Sequence, residues 1–158
     1  WARGQAWGVY GTAMAYRYTK REEYISDFKH VTGYFLDHLP EDLVPYWDLE
    51  FGDGSGEPRD SSSASIAACG MLEMAKYLNE EDAKYYTSIA KKIMKSVVEN
   101  YAVKSGAESN GLVLHSTYSK KSPYNTCTPE GVDECNIWGD YFYMEALTRL
   151  SKDWNPYW

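Results

Sequence analysis

Apolar residues recur at the spacing of an α-helix in five separate stretches of the sequence. The five series begin at Trp7, Tyr24, Ala64, Tyr86 and Tyr141. No stretch shows the alternation of apolar and polar residues that is typical of a half-buried strand. The pattern therefore predicts an all-α chain.

The connections between these helices alternate in length, which constrains how the helices stack. Short turns at residues 19–22 and 79–82 join the first helix to the second and the third to the fourth, whereas residues 40–59 and 102–136 form long segments. This alternation is typical of stacked helical hairpins, whose long connections meet at one rim and can build a site there. Five helices do not close a ring, so we expect an exposed apolar flank that a missing N-terminal part of the same domain, or self-association, covers.

The third helix has a clear N-terminal signal. Asp60 and the serines at 61–63 supply side-chain oxygens for the free N–H groups of a first helical turn. We expect Asp60 to be a helix cap, with Arg59 as its ion-pair partner or as that of Asp48.

Charge and hydropathy narrow the class of partner. The chain has 158 residues and a formal net charge of −7, and no run of basic residues is longer than the pair Lys120-Lys121. A nucleic-acid partner needs several Lys and Arg on one face, and a bilayer span needs roughly 20 consecutive apolar residues. We expect neither a nucleic-acid nor a membrane partner, and the compartment, cytoplasmic or periplasmic, stays open.

The three cysteines are Cys69, Cys127 and Cys135. An odd number without CxxC spacing indicates neither a disulfide framework nor a zinc site. Cys127 and Cys135 could close one loop in an oxidising compartment, but we favour reduced thiols, with Cys69 as a small buried apolar residue.

The segment at residues 1–8 combines a cation with indole rings. Arg3 and Trp7 are four residues apart on one helical face, and Trp1 and Gln5 share another. A guanidinium beside an indole suits a sugar acid, because the fork binds a carboxylate and the flat ring covers the apolar face of a pyranose. The alternative is a packed aromatic pair with a surface arginine.

The segment at residues 115–121 is polar and basic. Ser116, Ser119 and Lys121 could converge on a tetrahedral oxyanion such as sulfate. The alternative is a polar surface loop, in which His115 is a hydrogen-bond partner.

The remaining carboxylates carry no recognisable catalytic or metal motif. Asp48, Asp53, Glu57 and Asp60 lack the regular spacing and the closing Glu of a calcium loop. Asp140 lies in the first turn of the last helix, where it complements the helix dipole, and Gly139 before it permits a close approach. We expect no metal site. For Asp140 and Gly139 we favour a structural role.

Four motifs together resemble the unsaturated glucuronyl hydrolases of glycoside hydrolase family 88. They are Trp-Ala-Arg-Gly-Gln-Ala-Trp-Gly at 1–8, Val-Pro-Tyr-Trp-Asp at 44–48, Pro-Arg-Asp-Ser-Ser at 58–62 and Trp-Gly-Asp-Tyr-Phe at 138–142. The related unsaturated rhamnogalacturonyl hydrolases of family 105 typically have Trp-Gly-Arg-Gly-Asn-Gly-Trp at the first motif, so Gln5 favours family 88.

The resemblance implies an all-α (α/α)6 toroid, of which this chain supplies about the C-terminal two-fifths as part of one catalytic domain, residues 1–158. It implies a substrate made by polysaccharide lyases, an oligosaccharide that ends in a uronic acid with a C4=C5 double bond. In the family an Asp protonates this vinyl ether and directs water to C5, and the resulting hemiketal opens and releases the next sugar. That chemistry needs a carboxyl group and water, so no cofactor is implied.

The family's catalytic Asp and its partner Asp lie upstream of the first motif, so we do not assign catalysis to Asp48, Asp60 or Asp140. What the resemblance transfers is substrate binding: Arg3 and Trp7 first, then Trp1 and Gln5. Ser116, Ser119 and Lys121 match a Ser-x-x-Ser-x-Lys pattern of members that accept sulfated glycosaminoglycan disaccharides.

Two alternatives stay open. One is a non-catalytic carbohydrate-binding helical module that uses its exposed Trp and Tyr without chemistry. The other is a family 105 activity on pectin-derived disaccharides.

Overall fold

A computed structural model describes residues 1–105, 109–121 and 131–156, and these residues form helices and isolated bridges but no β-strand. The helices are α1 (Ala2–Thr19), α2 (Glu23–Asp37), α3 (Ser61–Met74), α4 (Glu80–Ser96) and α5 (Ile137–Ser151), and a π-helical turn, Val97–Tyr101, continues α4. The prediction of an all-α chain with five helical segments is confirmed.

The helix α3 is the centre of the fold. All of its residues are buried, and it packs against α1, α4 and α5, while α2 packs on α1. At Gly70 the backbones of α3 and α1 come so close that an added Cβ would lie 2.8 Å from the Cα of Tyr10. The helices therefore form two layers, with α1, α3 and α5 in one and α2 and α4 in the other, as expected for stacked hairpins.

The start of α3 is as predicted, but the role of Asp60 is not. Asp60 occupies the N-cap position and its side chain makes no cap hydrogen bond. The prediction for Arg59 is also wrong, because its guanidinium pairs with Asp42 at 2.9 Å and with Asp53 at 3.4 Å. Both outcomes depend on how the long loops fold over this end of α3, which local spacing does not encode.

A buried charge cluster joins the C-terminal ends of α1, α3 and α5. Glu73 is fully buried and accepts hydrogen bonds from Arg17 at 2.8 Å, from Tyr77 at 2.8 Å and from Arg149. Arg149 also pairs with Glu145, at 2.8 Å. Because these three helices meet here at their C-terminal ends, they run parallel, and their N-terminal ends gather at the opposite end of the molecule.

Large apolar side chains are exposed along α1 and α5. Trp7 and Tyr141 are 36% and 39% exposed, and the rings of both contact Phe142. The apolar flank expected from the sequence is present, while what covers it stays a prediction. No helix in the described part of the chain is both long enough and apolar enough to cross a membrane.

The prediction that Cys69 is a buried residue is confirmed. Cys69 is a buried free thiol, and Cys135 is a free thiol of intermediate exposure. Cys127 lies outside the described residues.

The Glu73 cluster makes the free energy of unfolding depend on pH in the acidic range. Burial alone would raise the pKa of Glu73, but hydrogen bonds from Arg149 and Arg17 outweigh it and lower the pKa from 4.5 to about 2. A carboxylate whose pKa is lower in the folded chain than in the unfolded chain stabilises the fold fully when the pH is above its unfolded-state pKa. This stabilisation is lost as the pH falls from the unfolded-state pKa through the folded-state pKa. Glu73 should thus contribute about 3 kcal/mol near neutral pH.

We therefore predict that Glu73→Gln flattens the fall in unfolding free energy between neutral pH and about pH 2, measured by urea denaturation at several pH values. Asp82→Asn is the control, because Asp82 is a partly exposed carboxylate outside this cluster, bonded to Lys29 at 2.6 Å and to Asn79 at 2.9 Å. Equal slopes in the Glu73→Gln variant and the unsubstituted chain would contradict the assignment.

Candidate functional site

The N-terminal ends of α1, α3 and α5 meet around the guanidinium of Arg3. The side chain leaves the first turn of α1 and reaches the first turn of α3 and the loop at residues 117–118. Although charged, Arg3 is only 3% exposed. A buried cation needs compensating partners, so its surroundings define the site.

Oxygen atoms from two segments hold the guanidinium. The Nη1 group donates to the carbonyl oxygen of Thr117 at 3.0 Å and to the hydroxyl of Ser62 at 3.4 Å. The Nη2 group donates to the carbonyl oxygen of Tyr118. Arg3 thereby ties α1 to α3 and to the loop before α5.

Three aromatic rings surround the same guanidinium. Its central carbon lies 4.7 Å from the ring centroid of Trp1, 5.2 Å from that of Trp138 and 5.7 Å from that of Tyr118. The rings of Tyr118 and Trp138 are stacked, with centroids 5.2 Å apart and planes 5° from parallel. Cation–π attraction adds to the hydrogen bonds, so Arg3 fixes the positions of rings from three segments of the chain.

A buried carboxylate balances the charge of Arg3. Burial lowers the pKa of the Arg3 guanidinium, and the charge of Asp60 opposes this effect. Burial likewise raises the pKa of Asp60, and the charge of Arg3 opposes it. The two groups stabilise each other's charged forms.

Two indoles near Arg3 are accessible to a ligand. Trp1 is 55% exposed, and Trp7, one turn further along α1, is 36% exposed with its ring held edge-to-face by Phe142 at 5.1 Å. Flat, partly exposed indoles beside a cation suit the two faces of a sugar acid. The structure thus places Trp1, Arg3 and Trp7 at the N-terminal end of α1, and their role in binding a sugar stays a prediction.

The side chain of Gln5 is hydrogen-bonded to α2. Its side-chain amide donates to the carbonyl oxygen of Val31 at 2.8 Å and so fastens α1 to α2. The sequence placed Gln5 with Trp1 on one helical face, but that face is the one against which α2 packs.

The predicted oxyanion site at residues 116–121 loses one of its three members, Ser116. Ser116 is fully buried, and its hydroxyl hydrogen-bonds that of Ser61 at 2.9 Å. Ser119 is partly exposed and donates its backbone N–H to Gly131 at 3.2 Å. Lys121 is exposed, and within the described ranges no ion pair involves it. The spacing of a loop motif does not reveal which of its side chains points into the core. In this loop it is the side chain of Ser116.

His115 and Asp140 also have hydrogen-bond partners within the chain. His115 hydrogen-bonds Asp133 at 2.6 Å. Asp140 accepts the backbone N–H groups of Leu112 and Val113 at 2.8 and 3.1 Å. Among the described residues no cluster of three or more His, Cys, Asp and Glu could hold a metal ion.

The chain is similar to named enzymes over its whole length, although no family model matches it. It is 50% identical to the unsaturated chondroitin disaccharide hydrolase of Streptococcus pyogenes serotype M1, with 100% of this chain and 39% of the relative covered. It is 36% identical to the unsaturated glucuronyl hydrolase of Bacillus sp. (strain GL1), with 100% and 41% covered.

Solved structures agree with these relatives. A variant of the unsaturated glucuronyl hydrolase of Streptococcus agalactiae, complexed with dGlcA-GalNAc6S, matches with a TM-score of 0.91 at 48% identity, over 100% of this chain and 41% of that one. An unsaturated glucuronyl hydrolase specific for heparin matches with a TM-score of 0.81 at 32% identity, over 94% and 39%.

The chain is thus similar in sequence and in fold to unsaturated glucuronyl hydrolases, in line with the resemblance to glycoside hydrolase family 88. Its helical layers match the α/α toroid of that family, which confirms the fold that the resemblance implied. The chain spans about two-fifths of the length of the family members it matches, 39% for the first of them.

The surroundings of Arg3 include four residues that the sequence did not assign to the site: Ser62, Thr117, Tyr118 and Trp138. Ser62 and Trp138 stand in two of the motifs that carry the resemblance, which was a usable signal. Thr117 and Tyr118 act through backbone carbonyls, which no side-chain pattern reveals.

The buried position of Ser116 can be tested through Gly139. A Cβ added at Gly139 would lie 2.7 Å from the Ser116 hydroxyl oxygen, so Gly139→Ala should destabilise the chain by about 1–2 kcal/mol. Ser116→Ala removes the clashing atom, so it should cost less stability in the Gly139→Ala background than alone. Strict additivity of the two urea-denaturation free energies would contradict this placement of Ser116.

Proposed function

We propose that this chain is the substrate-binding part of an unsaturated glucuronyl hydrolase, with residues 1–158 forming part of one (α/α)6 catalytic domain. The enzyme would release a 4,5-unsaturated uronic acid from oligosaccharides made by polysaccharide lyases. The observation that carries the proposal is the buried Arg3 with the exposed ring of Trp1 against its guanidinium, and with the partly exposed Trp7 one turn further along α1.

The chemistry would begin at the C4=C5 double bond. Protonation of the vinyl ether and addition of water at C5 give a hemiketal, which opens and releases the next sugar. The general acid would be an Asp outside this chain. Asp48, Asp60 and Asp140 are not proposed for that role, and we expect residues 1–158 alone to be inactive.

Arg3 would bind the uronate carboxylate. A guanidinium has five N–H donors, and within the described residues three of them meet Ser62, Thr117 and Tyr118. The site would thus offer the carboxylate a fixed positive charge and the donors that these bonds leave. Trp7 and Trp1 would cover the apolar faces of the sugar rings.

Lys121 would bind a sulfate group of the substrate. Its ammonium is exposed, whereas the neighbouring Lys120 is bound to Glu57. A solved relative holds dGlcA-GalNAc6S, and another is described as specific for heparin. With Ser116 buried, the proposed sulfate site consists of Lys121 and Ser119.

We predict that Arg3→Ala, introduced into the product of the complete gene, lowers kcat/KM for an unsaturated chondroitin disaccharide by about 30- to 1000-fold, because a desolvated charge pair is lost. The assay follows the ultraviolet absorbance of the C4=C5 bond. Arg21→Ala is the control, because it removes an exposed arginine that pairs with Glu23 at 2.5 Å and lies over the ring of Tyr24.

An unchanged kcat/KM would remove Arg3 from the site. No turnover of this disaccharide by the unsubstituted gene product would overturn the proposed function. Turnover of pectin-derived disaccharides instead would favour family 105 activity, and sugar binding without any turnover would favour a non-catalytic module.

We predict that Lys121→Ala lowers kcat/KM about tenfold for a sulfated disaccharide and leaves the unsulfated one within about twofold, because only the sulfate loses a charged partner. Lys92→Ala, at an exposed position on α4, controls for the loss of one positive charge. Equal losses on both substrates would show that Lys121 does not read sulfate.

A further inference from the structure

Asp60 is buried more completely than a helix cap requires. It is 0% exposed, and within the described residues its Oδ2 atom has no hydrogen-bond partner. Its Oδ1 atom accepts from the hydroxyl of Ser62 at 2.5 Å and from the backbone N–H of Thr117 at 3.3 Å. Burying a carboxylate with one oxygen unpaired is costly, so a role in stabilising α3 alone does not account for it.

Both partners of Asp60 are also partners of Arg3. The Ser62 hydroxyl donates its hydrogen to Asp60, so a lone pair on the same oxygen faces the Nη1 group of Arg3. The backbone N–H of Thr117 donates to Asp60, and the carbonyl oxygen of Thr117, in the next peptide group, accepts from Nη1. Two short relays therefore connect the carboxylate to one nitrogen of the guanidinium.

We propose that Asp60 is the positioning residue for Arg3: through Ser62 and Thr117 it sets the plane of the guanidinium between the rings of Trp1 and Trp138. The inference rests on the proposed function, because it assigns Asp60 to the same site. Asp60 touches no substrate in this scheme and acts only through Arg3. Its negative charge stabilises the buried cation. Its hydrogen bonds through Ser62 and Thr117 determine which edge of the guanidinium faces the ligand.

The test is a double-mutant cycle between Asp60→Asn and Arg3→Ala in the product of the complete gene. Asparagine keeps the Oδ1 acceptor and removes the charge. We expect Asp60→Asn to lower kcat/KM about tenfold or more when Arg3 is present and less than about twofold when it is absent. Equal effects in both backgrounds would overturn the proposal.

The matched control is Asp42→Asn. Asp42 is also a loop carboxylate bound to an arginine, Arg59 at 2.9 Å, but it does not touch Arg3. We expect its effect on kcat/KM to be the same with and without Arg3, since it can act only through general loop stability. Equal coupling of Asp42 and Asp60 to Arg3 would contradict a specific relay.

A spectroscopic readout separates this inference from the proposed function. Because Arg3 lies between two indoles, Asp60→Asn should change the near-ultraviolet circular dichroism of the chain, and Arg3→Ala should abolish that difference. This holds whether or not the gene product hydrolyses any disaccharide. Identical spectra for Asp60→Asn and the unsubstituted chain would overturn the proposal even if the enzyme is active.

A second variant covers the case in which Asp60→Asn does not fold. Ser62→Ala removes one relay without changing a buried charge, and it should lower kcat/KM by a few-fold only when Arg3 is present. A loss that persists in the Arg3→Ala background would overturn the role of the relay.

Discussion

The buried guanidinium of Arg3 is the interaction on which this end of the molecule depends. It lies where three parallel helices begin, and its hydrogen bonds connect α1 with α3 and with the loop before α5. Because it is desolvated, it needs Asp60, the loop carbonyls and the surrounding rings together. Those partners come from segments far apart in the sequence, so the site can assemble only when the layers have packed.

The two ends of the inner helices use buried charge differently. At the C-terminal ends, Glu73 meets Arg17 and Arg149 in a cluster that leaves the carboxylate fully bonded, which suits a purely structural role. At the N-terminal ends, Arg3 and Asp60 are joined indirectly through Ser62 and Thr117. A direct ion pair would occupy N–H donors of the guanidinium, whereas the indirect connection leaves those donors to an anionic ligand.

The helices and their order could be predicted because apolar spacing and helix-capping residues act locally. The close approach at Gly139 was also readable, since a glycine at the start of a helix is a local signal. The partner of Arg59, the inward turn of Ser116 and the contact of Gln5 with Val31 were not readable. Each depends on which distant segment packs alongside, and the local spacing of residues does not encode that choice. The resemblance identified Arg3 and Trp7 from motifs, but only the structure shows that Arg3 is buried by backbone carbonyls and aromatic rings.

The binding role of Arg3 is tested most directly by a crystal structure of the complete gene product with a non-hydrolysable analogue of an unsaturated uronyl disaccharide. We expect the uronate carboxylate within about 3 Å of the Arg3 guanidinium and a sugar ring against Trp7 or Trp1. A carboxylate bound by other groups, with Arg3 contacting only Ser62, Thr117 and Tyr118, would show that Arg3 is a structural strut and would contradict the claim.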